Sequence, residues 1–171
     1  MPGYTALHAG GSPAKGAHVP QLVTLVPFDP AHVAALGLRA SAAAALAGLD
    51  PRPELARSYA AAGPAWTLMA AGCPLVCGGA VRFWDGVGEL WCWTGADAPR
   101  WGVAFARQAR ERVDALFARG FHRLQAHVRA DDAQAARFAR FLGLRPEGRC
   151  PGYGPDQSTH LLYGRFFAWK E

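Results

Sequence analysis

A helical stripe set between two strand-like segments constrains this chain more than any other feature. From Arg100 to Arg119 the apolar residues Phe105, Ala109, Val113, Leu116 and Phe117 recur on one helix face, while Arg107, Arg110, Arg112 and Asp114 lie elsewhere on it. Ahead of this stretch, Val87–Thr94 is rich in β-branched and aromatic residues. Behind it, Phe121–Val128 alternates Leu124, Ala126 and Val128 with Arg123, Gln125 and His127, the pattern of a half-buried strand. A helix that joins two strands of one sheet is a crossover, so these two strands lie parallel. Gly120 is the expected stop of the helix.

Around this unit the signals are those of hairpins. Trp66–Ala70 and Leu75–Phe83 read as strands joined through Ala71-Gly72-Cys73-Pro74, and Asp85-Gly86 turns the second of them into Val87–Thr94. Upstream stand a strand at Gln21–Val26, a short helix near Ala31–Leu38 and another at Pro53–Ala62 that ends at Gly63-Pro64. Downstream, Asp131 or Asp132 caps a helix carrying Ala135, Phe138, Phe141 and Leu142, which stops at Gly143. Two last strands flank Pro151-Gly152-Tyr153-Gly154-Pro155. The expected class is α/β (α+β): a mixed, mainly antiparallel sheet with flanking helices and a central parallel strand pair. A Gly- and Pro-rich arm at residues 1–20 has no periodic hydrophobicity of its own, and residues 21–171 form the expected single domain.

Composition narrows the function classes only partly. Every apolar run is broken by Gly, Pro, Arg or Asp before it reaches membrane-spanning length, and the N-terminus lacks a basic segment followed by an apolar one, so a cytoplasmic protein is expected. Lys and Arg total 18 against 13 Asp and Glu, a formal charge of +5 that suits an anionic small molecule, a nucleic acid or an acidic protein surface. The same Arg-, Ala- and Gly-rich usage is also what a GC-rich genome encodes. Cys73, Cys77, Cys92 and Cys150 show no C-x-x-C spacing, which points to reduced thiols and no metal. The arginines between Arg100 and Arg119 carry charge for nucleic acid but sit in no nucleic-acid-binding module.

Just ahead of the crossover helix the chain reads Pro99-Arg100-Trp101-Gly102-Val103-Ala104. Together with the element order, this resembles the GCN5-related N-acetyltransferase (GNAT) superfamily from about Gln21 to Arg165. The family's acetyl-CoA loop, R/Q-x-x-G-x-G/A, is matched at Gly102 and Ala104, whereas Pro99 stands where Gln or Arg is usual. Small residues there let backbone N–H groups approach a pyrophosphate at the positive end of a helix. A second segment, Val128 to Leu144, resembles the family's V-x-x-x-N … A … Y-x-x-x-G-F run. In it Asp132 takes the place of the common Asn, Ala139 that of the Tyr that protonates the departing thiolate, and Leu144 that of Phe. The spacing Phe138-Ala139-Arg140-Phe141-Leu142-Gly143, with Glu89-Leu90-Trp91, is most similar to divergent GNAT-like proteins of tailed bacteriophages, which implies a phage protein carried in the virion.

The resemblance implies acetyl-CoA as cosubstrate and an amine, on a small molecule or a protein, as acceptor. Glu89, the only acid in Val87–Thr94, then stands where many members carry the general base. Backbone N–H groups near Cys92, Trp93 and Thr94 would polarise the thioester, Trp101, Gly102, Val103 and Ala104 would hold the pyrophosphate, and Arg100 and Arg107 would pair with phosphates. Other readings stay open: Glu89 as a surface acid or a partner of Arg82, and Arg100 and Arg107 as solvated charges. Trp91 and Trp93 share the face of Glu89; beside a ligand they would make an aromatic acceptor pocket, and the favoured expectation is core against the crossover helix. Tyr153, Cys150 and His160 are weaker candidates for the missing acid, and His122 and His127 are taken as ordinary strand histidines. A scaffold without turnover is the competing expectation, its N-terminal arm and the Phe166-Phe167-Ala168-Trp169 tail serving as docking segments for a protein partner.

Overall fold

A computed structural model describes residues 23–46 and 52–167. The expected arm at 1–20, the first residues of the opening strand and Ala168-Trp169 lie outside the described residues. The elements run β1 (Val23–Pro27), α1 (Ala31–Ala35), α2 (Ala40–Ala45), α3 (Arg52–Ala62), β2 (Ala65–Ala70), β3 (Cys73–Trp84) and β4 (Val87–Thr94). They continue with a 3-10 turn (Ala98–Trp101), α4 (Gly102–Ala118), β5 (Arg123–Arg129), α5 (Ala133–Phe141), β6 (Arg145–Cys150) and β7 (His160–Phe166). The strands form one seven-stranded sheet in the order β1-β2-β3-β4-β5-β7-β6.

β1 to β4 form the expected meander. Ala71 and Gly72 both take positive φ, 48° and 79°, which makes the β2–β3 link a tight two-residue hairpin rather than the four-residue turn read from sequence. Pro74 is accommodated inside β3 because the β2–β3 register shifts beside it, at Leu68/Met69. β4 pairs parallel with β5, as the crossover requires, and every other strand pair is antiparallel. The position of β7 between β5 and β6 was not legible, since hydrophobic pattern alone does not choose which strand of a final hairpin inserts.

Helices cover both faces. On one face Val113, Leu116 and Phe117 of α4 and Ala139 and Leu142 near α5 pack on Leu124, Val128 and Tyr163. On the other, Val33, Leu36 and Ala56 of the α1–α3 region pack on Cys77 and Trp93. Trp91 and Trp93 are therefore core, as expected, but against α1–α3 and not against the crossover helix. The two-residue period puts Glu89, Trp91 and Trp93 on the face opposite Leu90, which packs with the α4 cluster. Helix α2 was unforeseen because a run of alanines carries no stripe. Asp132 caps α5 through its side chain to the Ala135 N–H at 2.9 Å, and Gly143, at φ 86°, supplies the left-handed residue that ends the turn after it.

Candidate active site

The parallel pairing of β4 with β5 is short. It covers Val87↔Arg123, Gly88↔Leu124 and Glu89↔Gln125 and then stops, although both strands continue. Beyond Glu89 the two strands separate, and a cavity of about 600 Å³ lies between them. Its walls are Leu90 to Thr94 of β4, Ala126 to Arg129 of β5, Gly102, Phe105 and Arg112 of α4, and Tyr59, Phe138 and Tyr153.

Beyond Glu89 the backbone of β4 faces this gap without a β5 partner. The Gly95 N–H donates to Leu75 O of β3 at 2.8 Å, whereas Gly86 O accepts from His122 and Arg123 on the β5 side at 2.8 and 3.0 Å. Strand alternation then directs the N–H and C=O of Cys92 and the N–H of Thr94 into the cleft, and those of Trp93 toward β3. Thr94 O is taken by the Arg39 N–H at 3.0 Å. The side chain of Cys92 is exposed on the cleft while protein surrounds it otherwise, and this desolvation, with Cys77 nearby, raises its thiol to about 12. It stays protonated at neutral pH.

One end of the cavity meets the start of α4. Among the described residues no side chain caps this helix and its first turn holds no acid, while the Gly102 N–H itself donates to Pro99 O of the 3-10 turn. Gly102 lines the cavity, and a Cβ there would meet nothing within 4 Å. The absent side chain thus leaves open space rather than relieving a packing contact. Pro99 lies in the 3-10 turn and has no N–H to offer. Among the other residues expected at this end, Arg100, Trp101, Val103, Ala104 and Arg107 do not line the cavity. Arg100 is largely exposed and pairs with Asp97 at 3.5 Å, and Trp101 packs beside Leu68, Leu75 and Ala98. Val103 and Arg107 point to solvent at the first turns of α4, where Gln108 and Arg112 face the cavity instead.

Glu89 stands at the fork where the strands part. Its carboxylate accepts from Gln125 Nε2 at 3.4 Å and lies 3.1 Å from His127 Nδ1, both on β5. Arg82, the partner weighed from sequence, pairs with Asp85 at 3.6 Å instead. Tyr153 stacks on the His127 ring, centroids 3.9 Å apart. Desolvation, then the Glu89 charge, raises the phenol of Tyr153 to about 12 and moves that of Tyr59 in the same direction. His127 and Tyr59 were missed. The Glu89↔Gln125 register places His127 on the Glu89 face two residues further along, but that register exists only once the sheet is assembled.

The loop carrying Tyr153 is tied down. Arg129 binds Asp156 at 2.5 Å, Ser158 Oγ at 3.1 Å and Asp131 at 3.1 Å. Ser158 and Arg129 hold the Asp156 carboxyl well below the usual carboxylate range. Ala139 is buried in the α4–α5 cluster and brings no polar group to the cavity. No described helix is long and apolar enough to cross a membrane.

No protein-family model matches the sequence, and no curated protein does either. Solved structures do match in fold. An N-acetyltransferase from Staphylococcus aureus superposes with a TM-score of 0.66 at 14% identity, covering 85% of this chain and 98% of that one. A GNAT superfamily phosphinothricin acetyltransferase from Sinorhizobium meliloti, solved in complex with AcCoA, gives 0.67 at 16% identity over 84% and 88% of the two chains. The ribosomal-protein-alanine N-acetyltransferase from Brucella melitensis gives 0.65 at 17% identity over 84% and 99%. At such identities the likeness is one of fold, and the fold is that of the GNAT superfamily.

Proposed function

We propose that the protein is an acyl-CoA-dependent N-acyltransferase, acetyl-CoA being the cosubstrate, that works by direct attack of an acceptor amine on the thioester. The observation that carries this reading is the early end of the β4–β5 ladder. It leaves the Cys92 N–H and C=O and the Thr94 N–H without a strand partner beside a cavity that runs from Glu89 to the start of α4, where no side chain caps the helix. These features fit an elongated ligand with an amide-bearing arm and a diphosphate, since unpaired strand groups bind amides and helix starts bind phosphates. Bound there, acetyl-CoA supplies an activated acetyl group.

The remaining steps belong to the chain. The Cys92 and Thr94 N–H groups would receive the thioester oxygen as it gains negative charge. Glu89, assisted by His127, takes a proton from the acceptor ammonium so that its nitrogen can attack. The new amide bond forms as the carbon–sulfur bond breaks, and the thiolate leaves to be protonated. Ala139 provides no acid for that last proton. Tyr153, kept protonated by its raised pKa and lining the same cavity beside Glu89, is the group assigned to deliver it.

Titration with acetyl-CoA by calorimetry tests the reading, and no heat at millimolar ligand overturns it. Glu89→Gln is expected to lower kcat by about 10²-fold or more while the acetyl-CoA affinity holds. An unchanged kcat removes Glu89 from the mechanism. A second reading, a GNAT scaffold without turnover as in a phage virion protein, is favoured by the apolar burial of Ala139 and by Pro99 in the diphosphate turn. Cofactor binding without acetylation of any amine supports it.

A further inference from the structure

The half of the cavity on the α1–α3 side has a distinct chemistry. Among the described residues Glu89 and Asp132 are the two carboxylates in the cavity wall, and Asp132 is bound to Arg39 Nη2 at 2.5 Å. Glu89 is the one left facing a ligand, with a fifth of its side chain accessible (20%). Around it the walls are aromatic and uncharged. Tyr59 meets Trp91 edge-on at 4.9 Å, Trp91 meets Trp93 at 4.7 Å, and Tyr153 covers the His127 ring. Both phenols are held neutral by burial and by the Glu89 charge itself.

On the Glu89 side of the sheet the cations of the cavity wall are ion-paired. Arg39 is taken by Asp132 and Gln134, and Arg129 by Asp131, Asp156 and Ser158. Arg112 has no carboxylate partner among the described residues, but it lies over the Trp66 ring on the opposite, α4 side of the sheet. The remaining titratable groups facing this half are His127, already on Glu89, and buried His160, 5.3 Å from Tyr153 ring to ring. In this half of the cavity an acceptor with its own carboxylate or phosphate would meet Glu89 and, among the described residues, no cation that lacks a carboxylate partner.

We infer that this pocket binds a cationic amine borne on an aromatic or bulky apolar group and rejects acceptors that also carry an anion. The ammonium sits against Glu89 and the π-faces, and the apolar body packs on Tyr59 and Trp91. This deepens the acyltransferase reading, since the same amine would be the nucleophile. It nevertheless makes its own claim about binding.

Ligand-observed NMR titration of the full chain tests it, with 2-phenylethylamine, phenylalanine, 3-phenylpropionate and methylamine as probes. 2-Phenylethylamine is expected to bind at least about tenfold more tightly than phenylalanine or methylamine, with no binding of 3-phenylpropionate. Glu89→Gln should weaken 2-phenylethylamine by about tenfold and leave acetyl-CoA affinity unchanged. Equal or tighter binding of phenylalanine, equal binding of methylamine, no binding of 2-phenylethylamine, or indifference to Glu89→Gln each overturns the inference. Titration of acetyl-CoA into the same sample separates the two claims. Selective amine binding without acetyl-CoA binding sinks the acyltransferase reading alone, and the converse result sinks this one alone.

Discussion

Gly102 and Glu89 carry different kinds of information. No described residue touches the space where a Gly102 side chain would stand, so its smallness serves no packing purpose there. Gly102→Val should therefore leave stability within about 1 kcal/mol of the parent in urea titration. On the proposed function the same change should weaken acetyl-CoA by about tenfold or more, because the new side chain fills cavity space. A variant that unfolds early shows instead a structural role for the glycine. Glu89 was legible as a candidate because it is the one acid in an apolar strand. His127 was not, since one histidine in an alternating strand looks like any other until the partner strand fixes what stands beside it.

At the scale of elements, sequence marked the helices best where a stripe and a stop signal coincide. For α4, the stripe and Gly120 gave both its existence and its end; for α5, Gly143 gave the end and the sequence left the cap between Asp131 and Asp132, of which the structure uses Asp132. The alanine run of α2 gave neither. The β6–β7 link shows how an element is fixed by charge. Asp156 has its pKa depressed in the fold, so its contribution to stability is complete above the unfolded value of about 4 and is lost as pH falls toward the folded one. Asp156→Asn should accordingly lower Tm at pH 7, and the gap from the parent should shrink steadily as acid is added below about pH 4. A gap independent of pH would show that the loop is held by something other than the Arg129–Asp156 pair.

At the scale of the molecule, the separating strands need a tie across their open end. Arg39 provides one: its N–H bonds Thr94 O at the end of β4, and its guanidinium binds Asp132 and Gln134 at the start of α5. Arg39→Met removes the second half of that tie and leaves the Asp132 cap on α5. It is expected to cost about 1–3 kcal/mol, with faster hydrogen exchange around Gly95-Ala96 and the first turn of α5. Exchange in the β4–β5 ladder at Val87–Glu89 should not change, because its hydrogen bonds do not pass through Arg39. Uniformly faster exchange would mean that Arg39 supports the whole fold and not the cleft mouth.

What the sequence determined by itself was local: the periods of strands and helices, the stops at Gly120 and Gly143, the crossover that makes β4 and β5 parallel, and one acid in an apolar strand. Each depends on residues close together in the chain, whose spacing alone specifies the outcome. The tertiary structure decided where the parallel ladder ends, that β7 lies between β5 and β6, that Trp91 and Trp93 face α1–α3, and that His127, Tyr59 and Tyr153 gather around Glu89. These are facts of register between distant segments. Register is set by the packing of both sheet faces together, and no single segment carries that information.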